Sequence, residues 1–206
     1  DHCDLPALRR LVRACDPLVF TPLGYRALLR RAGSKRVIEL DWWQTHRVNA
    51  RTDSPGGAAA RALSITLTPA QHWTNRVTGR RCGRLWGGFF LSTADRRVFF
   101  AGDTGYHAQI FPDIRARLGE PDLALLPIGA YEPQWFMRDQ HINPAEAVQI
   151  HRDLGARVSL GMHWGTFQLT DEARLDPPEA LRKSLAFAGL PQESFQVMEP
   201  GQSLHV

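Results

Sequence analysis

The sequence predicts an α/β domain, a sheet with flanking helices. Apolar, strand-like segments dominate the first hundred residues, and past Asp103 the pattern changes to alternating helices and strands. No internal repeat or linker divides the 206 residues, a length that suits one domain over 1–206. Hydrophobic residues at 43% and charged ones at 22% are ordinary for a globular chain, which excludes disordered, collagen-like and disulfide-stapled classes. No apolar run approaches the ~20 residues needed to cross a bilayer.

Leu5, Leu8, Leu11 and Val12 recur at helical spacing, so a helix runs to about Cys15. Residues 18–20 read as a short buried strand stopped by Thr21-Pro22. Tyr25, Leu28 and Leu29 mark a second helix ending near Gly33, a natural cap. Residues 36–43 read as a strand with 44–50 as its partner, and 53–60 as a loop. Then come a strand over 63–68, a polar loop over 71–84, and a pair over 85–93 and 97–101. The second half alternates a helix over 110–118, a strand over 123–126 and a long loop over 127–143. Pro144 opens a helix capped by Asn143, with Ala147, Val148, Ile150 and Leu154 on its apolar face. A strand over 158–161, a helix over 177–188 and a strand over 195–198 complete the order.

Charge is uneven. Residues 1–100 carry 17 Lys+Arg against 7 Asp+Glu, and residues 101–206 carry 8 against 14. A basic half can attract phosphates of nucleic acid or of an anionic membrane. Yet 23 of the 25 basic residues are Arg, a bias that genome composition alone produces. A nucleic-acid-binding module is disfavoured, because aromatics do not interleave with the Arg runs and no finger, helix-turn-helix or RNA-recognition signature is present. Cys3, Cys15 and Cys82 are odd in number and lack a C-x-x-C pair, which fits a reducing cytoplasm rather than a disulfide framework. The opening Asp-His, with no signal-peptide pattern after it, is read as a start that lacks upstream sequence.

Five candidate metal ligands adjoin the chain start or expected strand ends: Asp1, His2, His72 in TPAQHW, Asp103 in GDTGY and His163 in GMHWGTF. Strand ends are where α/β sheets gather reactive groups, and imidazole with carboxylate suits zinc or another divalent first-row metal. Glycines beside Asp103 and after His163 are expected to let the backbone approach metals closely. Alone, each residue has an ordinary alternative, since a single His after a strand is commonly a hydrogen-bonded boundary residue and an Asp in GDTG a turn former. His46, His107, His151 and His205 lack such context and are left structural.

The combination resembles the metallo-β-lactamase superfamily of metal-dependent hydrolases, whose signature is His-x-His-x-Asp-His, a distant His, a bridging Asp and a final His. Asp1-His2 look like the end of that signature, followed by His72, Asp103 and His163. Within the superfamily, PAQHW, FFAGDTGY, LLPIGAYEPQWFM, QHINPAEAVQIH and HWGTF are similar to the N-acylphosphatidylethanolamine-hydrolysing phospholipase D family. The likeness runs from Leu63 to Leu204 and, more loosely, over the segment before.

The resemblance implies an αββα sandwich whose first strands lie upstream of this chain, leaving a partly exposed sheet edge. It implies two zinc ions in the intact enzyme. Asp1, His2, Asp103 and His163 would hold one. His72 and Asp103, with the two absent histidines, would hold the other. Such ions, ~3.5–4 Å apart, activate a water that attacks a phosphodiester. The products would be N-acylethanolamine and phosphatidic acid, with Asp103 bridging the ions and Asp1 orienting the water. His141 matches a histidine that the family places near the active site, to donate a proton or contact phosphate, although capping the following helix is an equal alternative. Tyr131, Trp135, Phe136 and Met137 form an apolar cluster in a long loop that would shape an acyl groove, with core packing expected for at least two of them. Trp164 and Phe167 are expected to wall the metal pocket. A lipid or other small phosphodiester is the expected substrate, with peripheral membrane contact from the cytoplasm, no nucleic acid and no assigned oligomeric state. The alternative is a lactonase or other carbonyl-ester hydrolase on the same metals.

Overall fold

The computed structural model describes residues 3–49, 62–75, 81–199 and 201–205. Asp1, His2, the loop expected over 53–60 and part of that over 71–84 therefore lie outside the described residues. Two sheets are present. β1 (Val19–Pro22) and β2 (Val37–Leu40) pair in parallel. β3 (Thr45–Asn49), β4 (Ala62–Thr68), β5 (Gly88–Ser92), β6 (Arg97–Phe100), β7 (Leu123–Pro127), β8 (Val158–Met162) and β9 (Phe195–Val197) follow one another across a seven-stranded sheet.

Alternation along these strands creates two cores. Phe90 and Phe99 turn one way, joining Ala124 and Leu126 against α3 (Ile110–Leu118) and, beyond the short α4 (Gln134–Met137), against α5 (Pro144–Leu154) and α6 (Asp176–Phe187). Ile65, Leu67, Phe89 and Leu91 turn the other way and meet Phe20, Ile38 and Leu40 of the small sheet. α2 (Arg26–Arg31) packs on β2, and Val12 of α1 (Leu5–Cys15) approaches Gly33 at the end of α2. The layers run helix, sheet, sheet, helix, as the resemblance implies.

Local signals account for most boundaries. The Asp4 carboxylate caps α1 by accepting from the Ala7 N–H at 3.2 Å. Of the apolar residues expected on that helix only Val12 is buried, while Leu11 stays 51% exposed. Asn143 and Glu146 form a reciprocal capping box on α5, with Pro144 in its first turn. Thr21 and Pro22 do not stop β1 but belong to it. Among the described residues β1 pairs on one side only, which makes Pro22's missing N–H harmless there.

One expected pairing is wrong. β3 joins β4 rather than β2. Trp43, at φ 68°, turns the chain out of the small sheet. Its N–H donates to the Leu67 carbonyl at 2.7 Å, and the Leu67 N–H donates to the Gln44 carbonyl at 3.1 Å. These bonds commit the next segment to the large sheet. β3 is then an edge strand among the described residues, exposed at alternate positions.

Candidate metal centre

Strand direction gathers the site. β4 to β5 and β5 to β6 are antiparallel steps, so β4 and β6 run the same way, and β7 and β8 continue parallel to β6. The segments following β4, β6, β7 and β8 therefore emerge at one sheet edge. They carry His72, Asp103, Gly129-Ala130 and His163 respectively. His141 arrives from elsewhere, on the stretch between α4 and α5.

Asp103 lies between two imidazoles. Its Oδ2 is 3.9 Å from His72 Nε2 and its Oδ1 is 3.5 Å from His163 Nε2, with all three side chains mostly buried. His72, Asp103 and His141 each offer a ligand atom, and these atoms lie within 4.8 Å of one another. The His141 ring stacks on His163 at 5.5 Å and 22°, and meets His72 edge-on at 5.3 Å and 78°. Imidazoles sharing a carboxylate fit a divalent first-row metal. The structure thus places His141 among the candidate metal ligands, beside the other two imidazoles. The predicted partners Asp1 and His2 lie outside the described residues.

Loops hold these groups through bonds that residue spacing does not reveal. The Gln140 carbonyl can only accept, so His72 donates Nδ1–H to it at 3.1 Å, which leaves Nε2 as its candidate ligand atom. Gln140 Oε1 accepts from the Trp73 Nε1–H at 2.6 Å. The Gly105 N–H donates to the Gln71 carbonyl at 2.7 Å, and Gln71 Nε2–H donates to the Asp139 carbonyl at 3.1 Å. A Cβ on Gly105 would lie 2.7 Å from that Asp139 oxygen, so the close approach needs glycine. Gly165, expected to allow a similar approach after His163, has nothing within 4 Å of such a Cβ. The crowded residue beside His163 is instead Gly129, across the sheet.

The cleft over these groups, about 200 Å³, is lined by His72, Trp73, Asn75, Asp103, Met137 and His141 among others. Ala130, His163, Leu169 and Thr170 also line an adjoining cleft of about 270 Å³. Trp164 and Phe167 wall this second cleft rather than the first. Of the aromatic cluster, Tyr131 is buried, Met137 is partly buried in the metal cleft, and Trp135 and Phe136 are 82% and 60% exposed. Core packing therefore claims one of the four, not two. Burial and the nearby carboxylates of Glu172, Asp176 and Glu132 push the Tyr131 phenol up to about 12, so it stays neutral.

Glu172 ties the two clefts together. Its carboxylate accepts from the Ala130 N–H at 2.6 Å, the Glu132 N–H at 3.0 Å and the Thr170 hydroxyl at 2.7 Å. Burial pushes its carboxyl up, but these hydrogen bonds outweigh it and hold the group below its usual 4.5. A carboxyl lowered on folding stabilises the protein fully above its unfolded value. That contribution is lost as pH falls through the lower folded value. Glu172→Gln should therefore cost about 1–2 kcal/mol at pH 7. Urea unfolding at pH 7 and pH 3 would show the gap to wild type closing in acid.

The Beta-lactamase superfamily domain family matches residues 1–164. The chain belongs to the beta-lactamase superfamily. Among superfamily relatives, it is 37% identical to N-acyl-phosphatidylethanolamine-hydrolyzing phospholipase D 1 of Caenorhabditis elegans, over 98% of this chain and 57% of that protein. It is 38% identical to the mitochondrial N-acyl-phosphatidylethanolamine-hydrolyzing phospholipase D of Saccharomyces cerevisiae, over 92% of this chain and 39% of that protein. The chain thus spans about half the length of these curated relatives. In fold it is similar to Igni18, a metallo hydrolase of Ignicoccus hospitalis, with a TM-score of 0.65, 25% identity, and coverage of 95% of this chain and 71% of that one. These matches give the chain the metallo-β-lactamase fold and a superfamily whose members include metal-dependent hydrolases.

Proposed function

We propose that this protein is a zinc-dependent phosphodiesterase of phospholipase D type, cleaving N-acylphosphatidylethanolamine-like lipids to N-acylethanolamine and phosphatidic acid. The observation that carries this reading is a polar histidine-carboxylate cleft beside exposed apolar side chains. Phe167 and Leu169, 76% and 70% exposed, line the second cleft, and Trp135 and Phe136 sit on α4, whose last residue Met137 reaches the first. Such a patch is suited to acyl chains and to a bilayer surface. No helix among the described residues is long and apolar enough to cross a membrane. Contact with the bilayer, on this reading, is peripheral and from the cytoplasmic side. The names of the Caenorhabditis and Saccharomyces relatives support the same substrate.

Zinc, when bound, supplies Lewis acidity at phosphoryl oxygens and lowers the pKa of a coordinated water. Asp103 would hold both ions, offering one oxygen toward His72 and the other toward His163. His72 would ligate through Nε2, because Nδ1–H is committed to the Gln140 carbonyl. Asp1 and His2 would complete the set on His163's side, with Asp1 orienting the water. Hydrolysis joins the water oxygen to phosphorus and breaks the bond to the ethanolamine oxygen, which takes up a proton. The His141 imidazole, packed between His72 and His163, would give that proton. Trp135 and Phe136 would shape the acyl side, whereas Tyr131, expected there too, is buried.

The test assays metal content and hydrolysis of N-acylphosphatidylethanolamine vesicles, with a simple lactone in parallel. Lipid cleavage should be lost on chelation, return with zinc, and fall at least about a hundredfold in His72→Ala. A Trp135→Ser/Phe136→Ser double variant should bind the vesicles about tenfold more weakly. Cleavage of the lactone alone would transfer the reading to a carbonyl hydrolase, and activity indifferent to metal would sink both.

A further inference from the structure

A cation at the edge of the metal cleft has no part in the chemistry above. Arg81 is exposed, and its Cζ lies 4.5 Å from the centroid of the Trp73 ring. Trp73 lines the metal cleft and follows His72 directly, their ring centroids 6.3 Å apart. The stack is held in place from both sides. Trp73 donates Nε1–H to Gln140 Oε1 at 2.6 Å. The segment after Arg81 is fastened to the His72 segment, because the Cys82 N–H donates to the Thr74 carbonyl at 2.7 Å and the Thr74 hydroxyl donates to the Arg84 carbonyl at 2.8 Å.

Stacking uses the flat face of the guanidinium and leaves its in-plane N–H edge for another acceptor. Among the described residues no carboxylate pairs with Arg81, whereas Arg26, Arg115, Arg157 and Arg182 each have an acidic partner. The cleft therefore presents an unneutralised, oriented cation one aromatic ring away from a candidate metal ligand. An exposed charge acts over about a Debye length, ~8 Å at physiological salt, enough to reach an anion entering the cleft.

We infer that Arg81, held on Trp73 at the cleft edge, captures the anionic oxygens of the substrate's phosphate as it enters and so favours anionic over neutral substrates. This rests on the phosphodiesterase reading. Arg81 recruits substrate and takes no part in bond breaking, so its removal acts on KM and not on kcat.

The zinc-loaded full-length protein would be assayed on a soluble chromogenic phosphodiester at low and high salt, beside Arg81→Gln and Arg81→Lys. Calorimetry with a non-hydrolysable phosphonate analogue gives binding without turnover. Arg81→Gln should raise KM about fivefold at low salt with kcat within twofold. It should weaken the analogue in parallel and flatten the fall of kcat/KM with salt, at unchanged zinc content. Arg81→Lys, which keeps the charge, should recover most of the affinity and the salt dependence. An unchanged KM and salt slope in Arg81→Gln would overturn the role, as would loss of kcat at constant KM or loss of zinc in both variants. If wild type binds zinc but does not cleave the diester, the phosphodiesterase reading fails and this role with it. If wild type cleaves it and Arg81→Gln behaves identically, only the Arg81 role fails.

Discussion

Asparagine in place of Asp103 should strip the protein of most of its metal and lower kcat/KM for a phosphodiester about a thousandfold. The size follows from geometry. The two oxygens of Asp103 face different imidazoles, at 3.9 Å from His72 and 3.5 Å from His163, and its side chain is only 13% exposed. Asn matches its shape but removes the negative charge that balances divalent ions in a partly desolvated cleft. A thousandfold loss is about 4 kcal/mol of transition-state stabilisation, within the range expected of metal chemistry. Because Asn is isosteric, the fold should survive, so a near-native melting temperature beside absent metal would separate loss of the site from loss of structure. Metal retained at wild-type affinity, with activity within tenfold, would remove Asp103 from the centre of the site.

That expectation starts from residues visible in the sequence, and their visibility has a physical cause. His72, Asp103 and His163 each follow a strand-like segment, alternating over 63–68, continuously apolar over 98–101 and short over 158–160, and such patterns announce themselves without tertiary information. What periodicity does not report is direction. Two antiparallel steps from β4 to β6, then parallel ones to β8, bring the three loops to one edge. The misread partner of β3 shows the same limit. Both segments around Trp43 look like strands, and only the turn at φ 68° decides which sheet receives the second. Gln140 and Glu172 were invisible for another reason. Each acts from an irregular segment, through its own carbonyl or through backbone N–H groups of a distant loop. The apolar cluster from Tyr131 to Met137 was legible as composition, but not which of its rings would face solvent.

Gly129→Ala should lower stability by about 2–3 kcal/mol and metal affinity at least about tenfold. Gly129 follows β7 directly beside the end of β8, where the Ile128 N–H donates to the Met162 carbonyl at 3.0 Å. A Cβ on Gly129 would lie 2.3 Å from the His163 carbonyl oxygen and 3.2 Å from the Trp164 Cα. Those are backbone atoms, so no side chain can rotate away, and overpacking of this kind typically costs 1–3 kcal/mol. Relief requires the two loops to part, and the residue nearest the clash is the candidate ligand itself. His163 is already in the left-handed region, at φ 60°, a conformation a non-glycine residue keeps only when its surroundings insist. Moving its carbonyl shifts the imidazole away from Asp103, which couples stability to metal binding at this one position. For a chain of this size the loss amounts to about 5–10 °C in melting temperature. Zinc titration beside thermal unfolding checks both halves. A variant that melts early but binds zinc normally would show that the two loops part without moving His163, and the coupling would then be wrong.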